Sequence, residues 1–265
     1  MGSASRGALA WSKKALAALG TGADLATAED LFRAARLIGE SGQLRAVLGD
    51  PTADVDAKSA LVSRVFSGQV SENAVSLLET IAGRHWSSQD DLLEGIEEIG
   101  IRAIARTAPE GVSIEEELFA FGGAVSSNDE LELALANKLG RPERKVSLLD
   151  ALLSGKAADG TLAIVRQLVL QPRGRRLRVA LEDAAAIVAD EAGQAIATVT
   201  AAAPIGDDQL GRLSQVLSDQ YGRKITVNVV VDPAVLGGLR VQIGDEVIDG
   251  TIATRLNDVR LKLAG

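Results

Sequence analysis

The hydrophobic repeat of this chain changes once. From residue 3 to about residue 191, apolar side chains recur at three- and four-residue spacing; beyond Gly193 they alternate. The first period lines one stripe of a helix and the second lines one face of a strand. The chain must therefore fold as a long helical part followed by a short part that contains strands. Aromatic residues make up only 3% of it and apolar residues 46%, so the helical cores must be built from Ala, Leu, Val and Ile. Alanine is the best helix former, and small side chains let helices approach closely.

Residues 3–19 read as a helix with Ala8, Leu9, Ser12, Ala15, Leu16 and Leu19 on one face. Trp11 falls largely off that stripe, which leaves a half-buried indole at the edge of a bundle or an aromatic facing a partner. Further amphipathic helices are predicted from Asp24 to Gly39, around Leu44 to Leu48, over 54–66, from Ser71 and from Ser88. Short connections between such helices make an all-helical bundle.

Sliding the chain by 87 positions superposes Leu31-Phe32 on Leu118-Phe119, Leu44 and Leu48 on Leu131 and Leu135, Lys58 and Leu61 on Lys145 and Leu148, and Ser67-Gly68 on Ser154-Gly155. Eight identities in about forty residues exceed the three or so that composition supplies. This favours a duplicated helical module, roughly 24–107 and 111–191, over chance likeness among Ala- and Leu-rich helices. The helix at 3–19 has no clear second copy. The expected divisions are a first bundle at 1–108, a second at 109–192 and a C-terminal domain at 193–265.

In the last part, Ile196, Thr198 and Thr200 alternate with Ala197, Val199 and Ala201. A helix from Asp207 ends at Gly222, and Lys224 to Val231 is the clearest strand. The closing stretch GGLRVQIGDEVIDGTIATRLNDVRLKLAG, Gly237 to Gly265, reads as strand, tight turn at Gly244-Asp245, strand and helix, with Asp249 as N-cap. The order β-α-β-β-β-α is a small α/β domain. The expected class is α+β: an all-α bundle, duplicated, followed by a small α/β domain with a mixed sheet.

That closing stretch resembles the C-terminal signature of the delta subunit of F-type ATP synthases, relatives of the mitochondrial oligomycin-sensitivity conferring protein. Gly237-Gly238, Gly244-Asp245, Val247-Ile248, Asp249-Gly250 and Arg255-Leu256 stand in the places of the pattern; Thr251 replaces a usual Ser, and Ala253 stands where a basic residue is common. The resemblance implies a non-catalytic stator subunit without cofactors. Its helical bundle would grip the N-terminal helix of an alpha subunit of the catalytic head, and its α/β domain would hold the b-type helices of the peripheral stalk. The alpha groove would lie between helices 3–19 and 71–84, at Ala8, Trp11, Ala15, Ala74 and Leu78. The complex would hold it at the cytoplasmic face of a bacterial membrane.

The residues themselves offer little chemistry. With no cysteine and one histidine, His85, neither a thiolate nor a Ser-His-Asp site can be built. Gly155-Lys156 lacks the strand and the hydroxyl of a P-loop. A net charge of −8 argues against nucleic acid, whose phosphates call for an excess of Lys and Arg. No apolar run approaches the ~18 residues of a membrane span, and no secretory leader is evident, so a soluble chain is expected. Glu97-Glu98 and Glu115-Glu116-Glu117 read as solvated helix faces. Arg173, Arg175, Arg176 and Arg178 form the one basic cluster, either a solvated turn or a contact for an acidic partner helix. The alternative to the adaptor is a free-standing helical scaffold or a regulatory protein whose α/β tail binds a small ligand.

Overall fold

A computed structural model describes residues 1–251 apart from Glu110, Lys138, Leu139, Leu236 and Asp245. It falls into two compact units, Met1–Val188 and Ala189–Gly265. The closing helix expected from Ile252, with Arg255 and Leu256, lies outside the described residues, as does Asp245.

The first unit is helical. Helix α1 (Ser3–Leu19) ends in a 3₁₀ turn at Gly20–Gly22, and α2 (Leu25–Glu40), α3 (Gly42–Gly49), α4 (Val55–Phe66), α5 (Glu72–Ala82) and α6 (Gln89–Arg106) follow. Side chains of Asp24, Ser41, Asp54, Ser71 and Ser88 cap the starts of α2 to α6 by accepting a backbone N–H three residues on. Then come α7 (Ile114–Ser126), α8 (Asp129–Ala136), α9 (Pro142–Leu153), α10 (Asp159–Leu170) and α11 (Leu177–Glu191).

Helix α6 is the axis of this unit. It is buried from Leu92 to Ile104 except at Glu94 and packs against α1, α2, α3, α5 and α10. Two glycines make that density possible. A Cβ on Gly95 would stand 2.1 Å from the Trp86 ring, and one on Gly100 would stand 2.4 Å from the Phe32 ring. Each ring fills the place of a missing side chain, and burial of a residue of this size contributes about 1.5–3 kcal/mol.

The 87-residue spacing is visible in the backbone. Helices α3, α4 and α5 start at 42, 55 and 72, and α8, α9 and α10 start at 129, 142 and 159. Helix α4 packs on α5 as α9 packs on α10, and α2 packs on α3 and α5 as α7 packs on α8 and α10. Gly68 and Gly155 both take left-handed backbone, at φ 76° and 71°, where a side chain would be strained. In each half an acid on the first of these helices reaches the start of the fourth. Asp30 accepts from the Ser71 N–H at 2.7 Å, and Glu117 accepts from the Ala158 N–H at 3.0 Å.

The second unit carries a four-stranded mixed sheet in the order β2-β1-β3-β4, with β1 (Ala195–Ala201), β2 (Ile225–Val231), β3 (Leu239–Ile243) and β4 (Glu246–Asp249). Strand β1 is parallel to β2 and antiparallel to β3, and β3 is antiparallel to β4. The parallel pair needs a crossover, and α12 (Asp207–Tyr221) supplies it. Its Leu217 joins Ala197, Val199, Ile225, Val241 and Ile243 in the core. Gly222 ends α12 in left-handed backbone, and Ser218 accepts the Ile225 N–H at 2.9 Å, which sets the entry of β2.

Candidate partner-binding surfaces

Helix α1 buries a stripe of small residues, Ser5, Ala8 and Ser12, before Leu16, which lets it lie close to α5 and α6. Its polar members are satisfied within the seam. The Ser12 hydroxyl donates to the Ala8 carbonyl at 2.9 Å. Ser5 accepts the Ser87 N–H at 2.9 Å and donates to Asp91. Burial pushes the Asp91 carboxyl up, but bonds from Ser5, Ser88 and the Gly2 backbone outweigh it and hold the group below the ordinary aspartate value.

The five residues assigned to a groove divide in two. Ala8, Ala74 and Leu78 lie inside the α1–α5 seam, at 4%, 0% and 1% exposure, while Ala15 is half-buried and Trp11 is 52% exposed. The Arg84 guanidinium stands 4.6 Å from the centre of the Trp11 ring and the Lys14 ammonium 5.0 Å from it. Two cations therefore stand over the indole ring and raise the positive potential around it. Such a plate suits an apolar side chain with carboxylates beside it. His85 is exposed on the neighbouring turn, while Trp86 is buried and donates its indole N–H to the Ile81 carbonyl at 2.8 Å.

Two charge readings are corrected by the fold. Glu97 and Glu98 are not a solvated face: they are 3% and 9% exposed. Two members of the basic turn are not free for a partner either. Arg173 and Arg175 both bond Glu97 Oε1, at 2.5 and 2.7 Å, and Glu98 pairs with Arg102 at 2.8 Å and Lys13 at 3.2 Å. Glu117 likewise leaves the solvated set, accepting from Ala158 and Thr161. Periodicity on a single helix could not show this, because α6 has neighbours on nearly every side. Burial holds the Arg173 guanidinium below its ordinary value against the pull of Glu97, and burial pushes the Glu94 carboxyl up.

In the second unit the signature residues have a steric reason. A Cβ on Gly238, at φ 82°, would stand 2.5 Å from the Gly250 carbonyl oxygen, and the Gly250 N–H bonds the Leu239 carbonyl at 2.9 Å. Gly237 and Gly244 also take positive φ, 96° and 57°. Asp249 closes β4 and accepts the Thr251 N–H at 3.0 Å. Among the described residues no cluster of possible ligands could hold a metal ion, and no helix is long and apolar enough to cross a membrane.

The fold is that of an α-helical protein that carries a small α/β unit. The family model for the ATP synthase delta (OSCP) subunit matches residues 102–263. The chain is 58% identical to ATP synthase subunit delta of Leifsonia xyli over 265 residues, the whole of both chains. It is 39% identical to that of Streptomyces griseus over 271 aligned residues, again the whole of both, and 40% identical to that of Streptomyces coelicolor over 100% of this chain and 98% of the other. A chain in the cryo-EM structure of the Toxoplasma gondii mitochondrial ATP synthase hexamer aligns with a TM-score of 0.43 and 15% identity, over 63% of this chain and 95% of that one. The chain belongs to the ATP synthase delta (OSCP) subunit family, and is a non-catalytic subunit. The family match begins inside α6 and leaves α1 to α5 outside it.

Proposed function

We propose that this chain is a stator element of the synthase, linking the catalytic head to the peripheral stalk so that the head does not turn with the rotor. The helical unit grips an alpha-subunit N-terminal helix, and the α/β unit takes the b-type stalk helices. Residues 1–108 and 109–192 act as two copies of one module. The equal spacing of α3–α5 and α8–α10 supports that reading, as do the paired acids Asp30 and Glu117. The complex holds the subunit at the cytoplasmic face of the membrane.

The observation that carries the alpha grip is Trp11, a large aromatic left 52% exposed between two cations on a helix whose other face is buried. An exposed tryptophan of this kind is the residue type that most often anchors an interface. The remaining groove residues, Ala8, Ala15, Ala74 and Leu78, set the closeness of α1 and α5 beneath it. Calorimetric titration of the full chain with a synthetic N-terminal helix of its organism's alpha subunit is the test. One-to-one binding that weakens at least about tenfold in Trp11→Ala is expected. Binding untouched by that substitution would remove α1 from the interface, and no binding by the folded native chain would defeat the alpha assignment.

A further inference from the structure

The ends of α8 and α10, the start of α9 and the turn before α11 enclose a cavity of about 400 Å³. Leu135, Leu168, Leu170 and Leu177 are among its apolar lining, and Lys145 and Arg176 are among its charged lining. At the positions 87 residues earlier the lysine is shut, Lys58 being 4% exposed where Lys145 is half-buried, while Leu48 and Ile81, at 1% and 0%, match Leu135 and Leu168, at 2% and 1%. The turns differ as well. Trp86 folds back into its own half against Gly95, whereas Arg173, at the equivalent place, reaches away to Glu97. Arg175, Arg176 and Leu177 of that turn line the cavity beside the end of α10.

The charge around the lysine differs too. Burial holds both Lys58 and Lys145 below the ordinary lysine value, but at Lys58 the negative charge of Asp50, the residue that ends α3, opposes the effect. The residue that ends α8 is Asn137, a neutral amide. Among the described residues no carboxylate makes an ion pair with Lys145, although Glu132 lines the same cavity. A partly desolvated cation facing an apolar cup is an incomplete arrangement, since such a charge is normally paired. Past Gly140 and Lys145 the cup opens into a second hollow of about 500 Å³, lined by Asn137, Arg141, Arg144 and Leu148. On a chain of net charge −8 this edge is locally basic.

We propose that the cup and the basic trough beside it form a docking site for an amphipathic helix of a partner, with an apolar side chain in the cup and carboxylates against Lys145, Arg144 and Arg141. The site is separate from Trp11 and does not depend on the alpha assignment. A small amphiphile would fill the cup and leave the arginines of the trough unmet, so charge complementarity along the whole surface favours a helix.

The test is fluorescence anisotropy with the full chain and a labelled synthetic amphipathic helix, leucine on one face and glutamate on both flanks, beside a copy with lysine for glutamate. Saturable binding of the acidic peptide is expected, about tenfold weaker in Lys145→Glu, with the lysine copy favoured instead. Ala136→Trp, which fills the cup, should weaken both peptides, and Trp11→Ala should change neither. Arg144→Glu, at an exposed position of the trough, repeats the charge test should Lys145→Glu lower the melting temperature. Native-like binding in Lys145→Glu, Arg144→Glu and Ala136→Trp would overturn the site, as would loss in Trp11→Ala alone. Lys145-dependent binding of decanoate without peptide binding would also overturn it, in favour of a small amphiphile.

Discussion

The turn before α6 carries Trp86, and the turn before α11 carries Arg173 at the position one repeat later. Trp86 is 2% exposed, lies on Gly95 and finishes the core of α5 and α6. Arg173 takes left-handed backbone at φ 49°, with Gly174 at φ 79° behind it, and aims its guanidinium at Glu97 of α6. Left-handed backbone costs an ordinary residue roughly 1–2 kcal/mol, so the ion pair must outweigh that strain. One half thus closes on itself with an aromatic ring, while the other is fastened to the first by charge. Equal helix spacing does not imply equal energetics: an aromatic ring on glycine closes the turn before α6, and ion pairs to Glu97 hold the turn before α11.

Breaking that comparison starts with the ring. Trp86→Ala should destabilise the helical unit by about 3–5 kcal/mol, seen as a large loss in denaturant midpoint with unchanged slope. Glu97→Ala removes the shared partner of Arg173 and Arg175 and leaves two partly buried cations; the expected cost is about 3 kcal/mol. Hydrogen exchange sharpens the contrast. In Glu97→Ala the amides of α10 and α11 should lose protection before those of α2 and α5, whereas Trp86→Ala should loosen α5 and α6 first. Equal loss in both halves for both variants would mean the unit has a single core with no seam.

Much of this was legible in the residues. The change of period near Gly193 marks the passage from α11 to β1, and the positions at 87-residue spacing sit in helices, or just past helix ends, that start 87 residues apart for α3–α5 and α8–α10. The small residues Ala8 and Ala15 of α1 read as part of a partner groove; in the fold Ala8 is buried against the bundle and Ala15 is half-buried. What periodicity could not supply was the number of neighbours around a helix. Glu97 and Glu98 look solvated on a helical wheel, yet α6 is surrounded, so their charges are answered from α1, from within α6 and from the turn before α11. In the sequence Arg173 and Arg175 read as a solvated turn or a contact for an acidic partner helix, and they are neither: both bond Glu97 of the same chain. The cup beside Lys145 was hidden for a related reason: it depends on Asn137 standing where Asp50 stands in the first half, and on where one turn points.

The mildest contrasts concern the polar ties both halves share. Asp30→Ala and Glu117→Ala each leave a backbone N–H at the start of the fourth helix unanswered, and about 1 kcal/mol apiece is expected, or roughly 2–4 °C in melting temperature. A second tie joins the fourth helix to the third: Ser63 donates to Glu79 between α4 and α5, and Arg166 pairs with Asp150 at 2.6 Å between α9 and α10. The residue pairs correspond at the 87-residue spacing, but one is a hydroxyl bond and the other an ion pair with its members 33% and 41% exposed. An exposed pair of this kind contributes at most about 1 kcal/mol and is screened by salt. Raising ionic strength should therefore erase most of the small loss caused by Asp150→Asn while leaving that of Ser63→Ala unchanged. Equal salt dependence of the two would show that screening acts on some other charge, and the contrast between a hydroxyl tie and an ionic one would fall.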